Sequence, residues 1–160
     1  MKKKLPKLFV VDVDGVMTTG QFLYDEKGKK FKIFGPDDAD ALKLLNKFIK
    51  IVFVSADKRG FKISKKRISD DMGYKLFSVS SENRLNWINK NFNINETIYM
   101  GDGIYDHLVM KKVFYSICTS NSATSARKYS RFITKRTGGD RAVSEACLHI
   151  LKKFFNHTII

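Results

Sequence analysis

At 160 residues, with 43% hydrophobic residues and thirteen Phe, the chain has the size and composition of one folded domain rather than of a disordered or fibrous polypeptide. No stretch approaches the ~20 apolar residues of a membrane span, and the basic start is followed by an apolar run too short for a signal peptide. The formal net charge of +14 would attract phosphate-bearing ligands, but the lysines are scattered and no aromatic–basic array accompanies them, so nucleic acid is not an expected partner.

The first element is the apolar run Leu8-Phe9-Val10-Val11, which delivers Asp12 and Asp14 to a turn at Gly15. Alternate residues of a strand share a face, so the two acids start out on the same side. They repel each other, which costs stability unless a metal ion or a shared proton relieves them. The spacing is wrong for an EF-hand loop, whose glycine does not directly follow the second acid, and no P-loop is present. Gly15 also frees the backbone to bend and could turn its N–H toward an anion.

Two short aromatic-rich runs, Gln21 to Tyr24 and Lys30 to Phe34, flank a Gly28 turn and predict a β-hairpin. Gly35-Pro36-Asp37-Asp38 then leads into a helix carrying Ala39, Leu42, Leu45 and Phe48. Ile51 to Ser55 is a buried strand, and Arg59 to Asp71 a basic helix closed by Gly73. After a short strand at Leu76 to Val79, Ser80 or Ser81 should cap a helix with Leu85, Trp87, Ile88 and Phe92 on its apolar face. The strand Thr97 to Met100 runs into Gly101-Asp102-Gly103-Ile104-Tyr105-Asp106. A short helix to Lys112, a strand Phe114 to Cys118, a helix Ala123 to Tyr129 and a strand Phe132 to Thr134 follow. Gly138-Gly139 introduces a tail helix over about 140–155.

Strand and helix alternate, which predicts a single α/β domain over 1–160. The expected architecture is a Rossmann-like parallel sheet with helices on both faces, a small hairpin insertion at about 20–34 and no large cap. In such sheets ligands bind beyond the carboxyl ends of the strands. Asp12, Asp14, Ser55, Asp102 and Asp106 all fall at or just past such ends. Cys118 and Cys147 lack metal-ligand spacing and read as buried thiols of a reducing compartment, so the cytoplasm is the expected location. His107, His149 and His157 are not clustered and take no catalytic role.

Asp12-Val13-Asp14-Gly15 after an apolar strand, Ser55 after the second strand and Gly101-Asp102-x-x-x-Asp106 together resemble the haloacid dehalogenase superfamily of phosphohydrolases. The stretch Asp12 to Gly20 and the tail Gly138 to Glu145 resemble, more narrowly, its octulosonate 8-phosphate and nonulosonate 9-phosphate phosphatases. The resemblance implies Asp12 as nucleophile and Asp14 as general acid and base. It implies Mg²⁺ held by Asp12, the Asp14 carbonyl and Asp102, with Asp106 in support. It implies phosphate or substrate contacts from Gly15, Ser55, Arg84 and Arg141, a sugar phosphate as substrate, and a homotetramer.

Several positions depart from the pattern. Arg84 stands where the third motif usually has Lys, with Lys75 and Lys90 less well placed. Ala56-Asp57 replaces a frequent Gly-Arg, with Lys58 or Arg59 as possible substitutes. Gly103 replaces a second acid, and Thr19 a usual Asp. A polynucleotide phosphatase and a non-catalytic oligomerisation domain of this fold remain as alternative readings.

Overall fold

The computed structural model describes residues 4–158. Leu8 to Val11 lie at the centre of the sheet and are nearly solvent-free, which is why this run is apolar at every position rather than alternating. The strand they begin, β1 (Leu8–Asp12), pairs in parallel with β4 (Lys50–Ser55) on one side and β6 (Thr97–Gly101) on the other. β5 (Lys75–Ser78) extends the sheet beyond β4, while β7 (Tyr115–Cys118) and β8 (Phe132–Ile133) extend it beyond β6. The order is β5-β4-β1-β6-β7-β8. The chain therefore winds outward from β1 in one direction, returns, and winds outward in the other. The reversal falls between β1 and β6, where doubly wound sheets open a crevice at their carboxyl edge.

Helices cover both faces. α1 (Asp38–Leu45) and α6 (Ala142–Phe155) pack with Phe9, Val11, Phe53 and Ile117 on one side. The segment after α2 (Phe61–Lys65), a wider turn over Lys66–Asp71, adds Ile68 to the same layer. α3 (Arg84–Asn91), α4 (His107–Met110) and α5 (Thr124–Tyr129) cover Leu8, Val10, Val54 and Tyr99 on the other. Strand alternation puts Asp12 on the same side as Leu8 and Val10, the face covered by α3. That placement decides which helix can reach the first acid.

The hairpin consists of β2 (Thr18–Asp25) and β3 (Gly28–Phe34), paired antiparallel and separate from the main sheet. Among the described residues no other insertion is large enough to act as a cap. Both cysteines are buried and free, and no described helix is long and apolar enough to cross a membrane.

Two local expectations are corrected. α3 starts at Arg84 after a turn over 81–83, with Asn83 as its cap residue and no side-chain capping bond, so neither Ser80 nor Ser81 caps it. The glycines at 138 and 139 do more than interrupt the chain. A Cβ on Gly138 would fall 1.9 Å from the Gly15 carbonyl oxygen, and the Gly139 amide donates to Val16 O at 3.1 Å. The tail is thus clamped onto the turn that follows Asp14, where only glycine leaves room.

Candidate active site

β1 ends at Asp12, whose carboxylate accepts from the Val13 amide at 2.8 Å. The chain then turns over Val13–Met17, with Gly15 at φ +85°, a left-handed conformation that favours glycine. Space also demands glycine here, because a Cβ would lie 2.0 Å from an Asp102 carboxylate oxygen. Thr18 ties the turn together. Its Oγ1 accepts from the amides of Gly15 (3.1 Å) and Gly20 (3.2 Å) and donates to Val13 O (3.4 Å). The Gly15 amide, expected to face an anion, is therefore engaged within the turn.

Arg84, at the start of α3, is almost wholly buried and grips Asp12 with both terminal nitrogens. Nη1 lies 2.6 Å from Asp12 Oδ2, and Nη2 lies 3.2 Å from Oδ1. Nη1 also reaches Tyr99 Oη at 2.7 Å and Asp106 Oδ1 at 2.9 Å. Nε is buried without a partner among the described residues. The planar fork thus fixes the orientation of the first acid, as a single ammonium could not. The alternatives Lys75 and Lys90 are exposed and take no part.

Asp106 closes the far side. Its Oδ2 accepts from the amides of Asp102 (2.8 Å) and Gly103 (2.7 Å), while Oδ1 accepts from Arg84 and, at 2.5 Å, from Tyr99 Oη. A carboxylate has about four lone-pair positions, and here all are engaged. Gly101 makes this possible, since a Cβ there would sit 2.4 Å from Asp106 Oδ2. Asp102 is different. Its side chain accepts no described hydrogen bond and lines the cleft.

Oxygens of Asp12, Asp102 and Asp106 lie within 4.8 Å of one another. With all three ionised, three negative charges face one guanidinium. Burial pushes Asp102 up to about 8, with the charges of Asp12 and Asp106 adding to the effect. Burial likewise raises Asp12 to about 7, with Arg84 pulling the other way and Asp106 adding to the rise. A hard divalent cation suits this all-oxygen donor set and would balance the surplus charge. Because Asp106 is already saturated, Asp12 and Asp102 are the side chains left to bind it.

Asp14 lines the same cleft but takes different partners. Its Oδ2 accepts from Ser55 Oγ at 2.7 Å and its Oδ1 from Lys32 Nζ at 2.6 Å. Ser55, expected to meet a phosphate, is fully buried and donates to the second acid instead, while its Oγ accepts from the Asp57 amide at 3.1 Å. Asp57 is held down to about 2: burial works against its charge, but hydrogen bonds from Lys29 and Lys32 outweigh it. Both cations come from the hairpin, whereas Lys58 and Arg59, the expected substitutes, are exposed and stay off the cleft. Arg141 also lies off the cleft, paired at the surface with Asp37 (2.6 Å) and Asp140 (3.2 Å).

The cleft itself has a volume of about 370 Å³. Asp12, Asp14, Arg84 and Asp102 line it, together with Phe22, Lys29, Asp57, Ser81 and Tyr105. Lys29, Lys32, Tyr99 and Thr18 escaped the sequence reading. Lys32 left no trace there, because a charge between Phe31 and Ile33 fits the ordinary alternation of a strand with its polar face in water.

Fold and acid constellation together define the class: the chain resembles the phosphatases of the haloacid dehalogenase superfamily. Within that class it is similar to the 3-deoxy-D-manno-octulosonate 8-phosphate phosphatases. It is 39% identical over 80 residues to KdsC of Haemophilus influenzae, a match spanning 48% of this chain and 43% of that protein. It is 25% identical over 147 residues to KdsC of Escherichia coli K12, spanning 88% of this chain and 77% of that one. The Moraxella catarrhalis enzyme of the same name, solved with magnesium, phosphate and KDO, superposes with a TM-score of 0.82 at 26% identity over 96% of this chain and 90% of that one. The chain thus spans less than half the length of the H. influenzae relative in that match. No family model matches the chain.

Proposed function

We propose that this chain is a Mg²⁺-dependent phosphatase of the haloacid dehalogenase type, hydrolysing an acidic keto-sugar phosphate of the octulosonate 8-phosphate or nonulosonate 9-phosphate kind in surface-polysaccharide synthesis. The observation that carries this reading is the division of labour between two acids two residues apart. Asp12 is held by Arg84 beside Asp102, while Asp14 is held separately by Ser55 and Lys32. On this reading Asp12 attacks and Asp14 handles a proton.

In the first step an Asp12 oxygen bonds to phosphorus as the bond to the leaving alcohol oxygen breaks. Arg84 keeps that carboxylate turned toward the cleft, and protonated Asp14 gives its proton to the departing oxygen. In the second step Asp14, now a carboxylate, takes a proton from water as that water displaces the phosphate from Asp12. Mg²⁺, bound by Asp12, Asp102 and the Asp14 backbone carbonyl, would neutralise the acids and let an anionic phosphate approach an anionic nucleophile. Asp106 keeps the loop at Asp102 in place through the two amides it accepts.

The substrate branch is tested by phosphate release from a panel with Mg²⁺. Octulosonate or nonulosonate phosphates should be turned over at least about 100-fold better than an oligonucleotide 3′-phosphate. The reverse order would favour the polynucleotide reading that the +14 charge suggests. We also place the working protein in the cytoplasm and as a homotetramer. Phe22, Leu23, Tyr24, Phe31 and Ile33 of the hairpin are all exposed, an apolar surface that water disfavours. Light scattering at micromolar concentration that gave the mass of one chain would count against the tetramer.

A further inference from the structure

Lys32 occupies an inward-facing position of β3, where the ordinary occupant would be apolar. In β3 its neighbours Phe31 and Ile33 are 64% and 46% exposed, while Lys32 itself is 8% exposed. An ammonium turned inward this way costs free energy unless every donor is met. All three are. Nζ donates to Asp14 Oδ1 at 2.6 Å and Ser64 Oγ at 2.8 Å, and lies 2.8 Å from Asp57 Oδ2. An ammonium has three N–H groups, so none remains for a substrate.

The charges balance locally as well. With Asp14 as a carboxylate, the form in which it leaves the first step, Asp14 and Asp57 stand against Lys32 and Lys29, the latter 2.5 Å from Asp57 Oδ2. Asp57 is itself anchored, because its Oδ1 accepts from the Gly60 amide at 3.0 Å. The result is a rigid line from the loop after β4, through Lys32, to one oxygen of Asp14. Ser55 fixes the other oxygen.

We propose that Lys32 is a positioning residue for proton transfer by Asp14, so that the hairpin takes part in the chemistry as well as forming a wall of the cleft. The proposal rests on the phosphatase reading above. In the first step the bond from Asp12 to phosphorus forms, the bond to the leaving oxygen breaks, and the Asp14 proton moves to that oxygen to give a neutral alcohol. Lys32 reaches neither phosphorus nor the oxygens bonded to it and acts only through the hydrogen bond that it donates to Asp14 Oδ1. It sets the direction in which the Asp14 carboxyl presents its proton.

Leaving-group dependence separates this role from a merely structural one. An alkyl phosphate needs a proton on its leaving oxygen, whereas p-nitrophenyl phosphate leaves without one. The readout is kcat/KM with Mg²⁺ for both substrates, which reports steps through phosphoryl transfer. Lys32→Met should lower the value for the alkyl phosphate by about 100-fold and that for p-nitrophenyl phosphate by less than about tenfold. Equal losses on both substrates, or no loss in a folded variant, would overturn the proposal. Should Lys32→Met fail to fold by circular dichroism, Ser64→Ala decides, since the only described hydrogen bond of that side chain is to Lys32. It should cost the alkyl substrate about threefold more than the aryl one, and an equal cost would overturn the proposal. A wild-type protein inactive on both substrates would instead sink the phosphatase reading.

Discussion

Replacing Arg84 with methionine should cost about 3–5 kcal/mol of folding stability and lower phosphatase turnover by about 1,000-fold. The stability loss follows from burial. Asp12 and Asp106 are 6% and 1% exposed, and Arg84 is the one cation in contact with either among the described residues. Methionine fills the volume but leaves two buried carboxylates facing Asp102 with no neutralising charge. The activity loss follows from geometry, because both oxygens of Asp12, the proposed nucleophile, are held by the guanidinium fork. Arg84→Lys should recover part of the stability and less of the activity, since one ammonium cannot hold both oxygens. Urea unfolding and phosphate release measure the two effects. A methionine variant within about 1 kcal/mol of wild type and fully active would show that the Asp12–Arg84 contact does neither job.

The metal-free protein should lose stability as pH rises from about 4 to about 8, and Mg²⁺ should restore it. Asp12 and Asp102 are raised from 3.8 to about 7 and about 8, and burial raises Asp38 to about 6. Across that window the folded state binds more protons than the unfolded chain, so unfolding becomes easier with each step up in pH. His149 works in the opposite sense around 6.5, because burial lowers it and the folded state binds its proton less well. Asp57 contributes only at the acid end, where its stabilisation is lost below about 3.8 and through about 2. Three carboxylates outweigh one imidazole, so the net slope is downward. Saturating Mg²⁺ should raise the melting temperature by about 5–10 °C at about pH 8 and by much less at about pH 5, where its ligands hold protons. A melting temperature indifferent to Mg²⁺, or a larger gain in acid, would remove Asp12 and Asp102 as a metal site.

The sheet and the acids were legible because their signals are local. Four consecutive apolar residues before Asp12 mean a strand buried on both faces, and the run Gly101 to Asp106 marks a turn wherever it occurs. The alternation of strands and helices then gives the order of elements, and the carboxyl-edge rule gathers Asp12, Ser55 and Asp102. What the residues do to one another was less legible. Ser55 and the Gly15 amide have the chemistry of phosphate ligands, yet here Asp14 and Thr18 use them, and only the folded turn shows it. Thirty basic side chains read as a solvated surface. Two of them, Lys29 and Lys32, instead serve the site, because the hairpin brings them to Asp14 and Asp57, and Arg84, expected at a phosphate, grips Asp12 and Asp106. Tyr99 reads as an ordinary core residue of β6, and its hydroxyl matters only because Asp106 and Arg84 meet it there.

The measurement to make first is phosphate release by the purified protein, with Mg²⁺ and with chelator, for wild type and Asp12→Asn. Release that requires Mg²⁺ and falls by at least about 1,000-fold in Asp12→Asn is the expected result, because the nucleophile would be gone while the fold and Asp14 remain. Release unaffected by the substitution, or no metal-dependent release from any phosphate monoester, would contradict the assignment of Asp12 and leave the domain without a reaction.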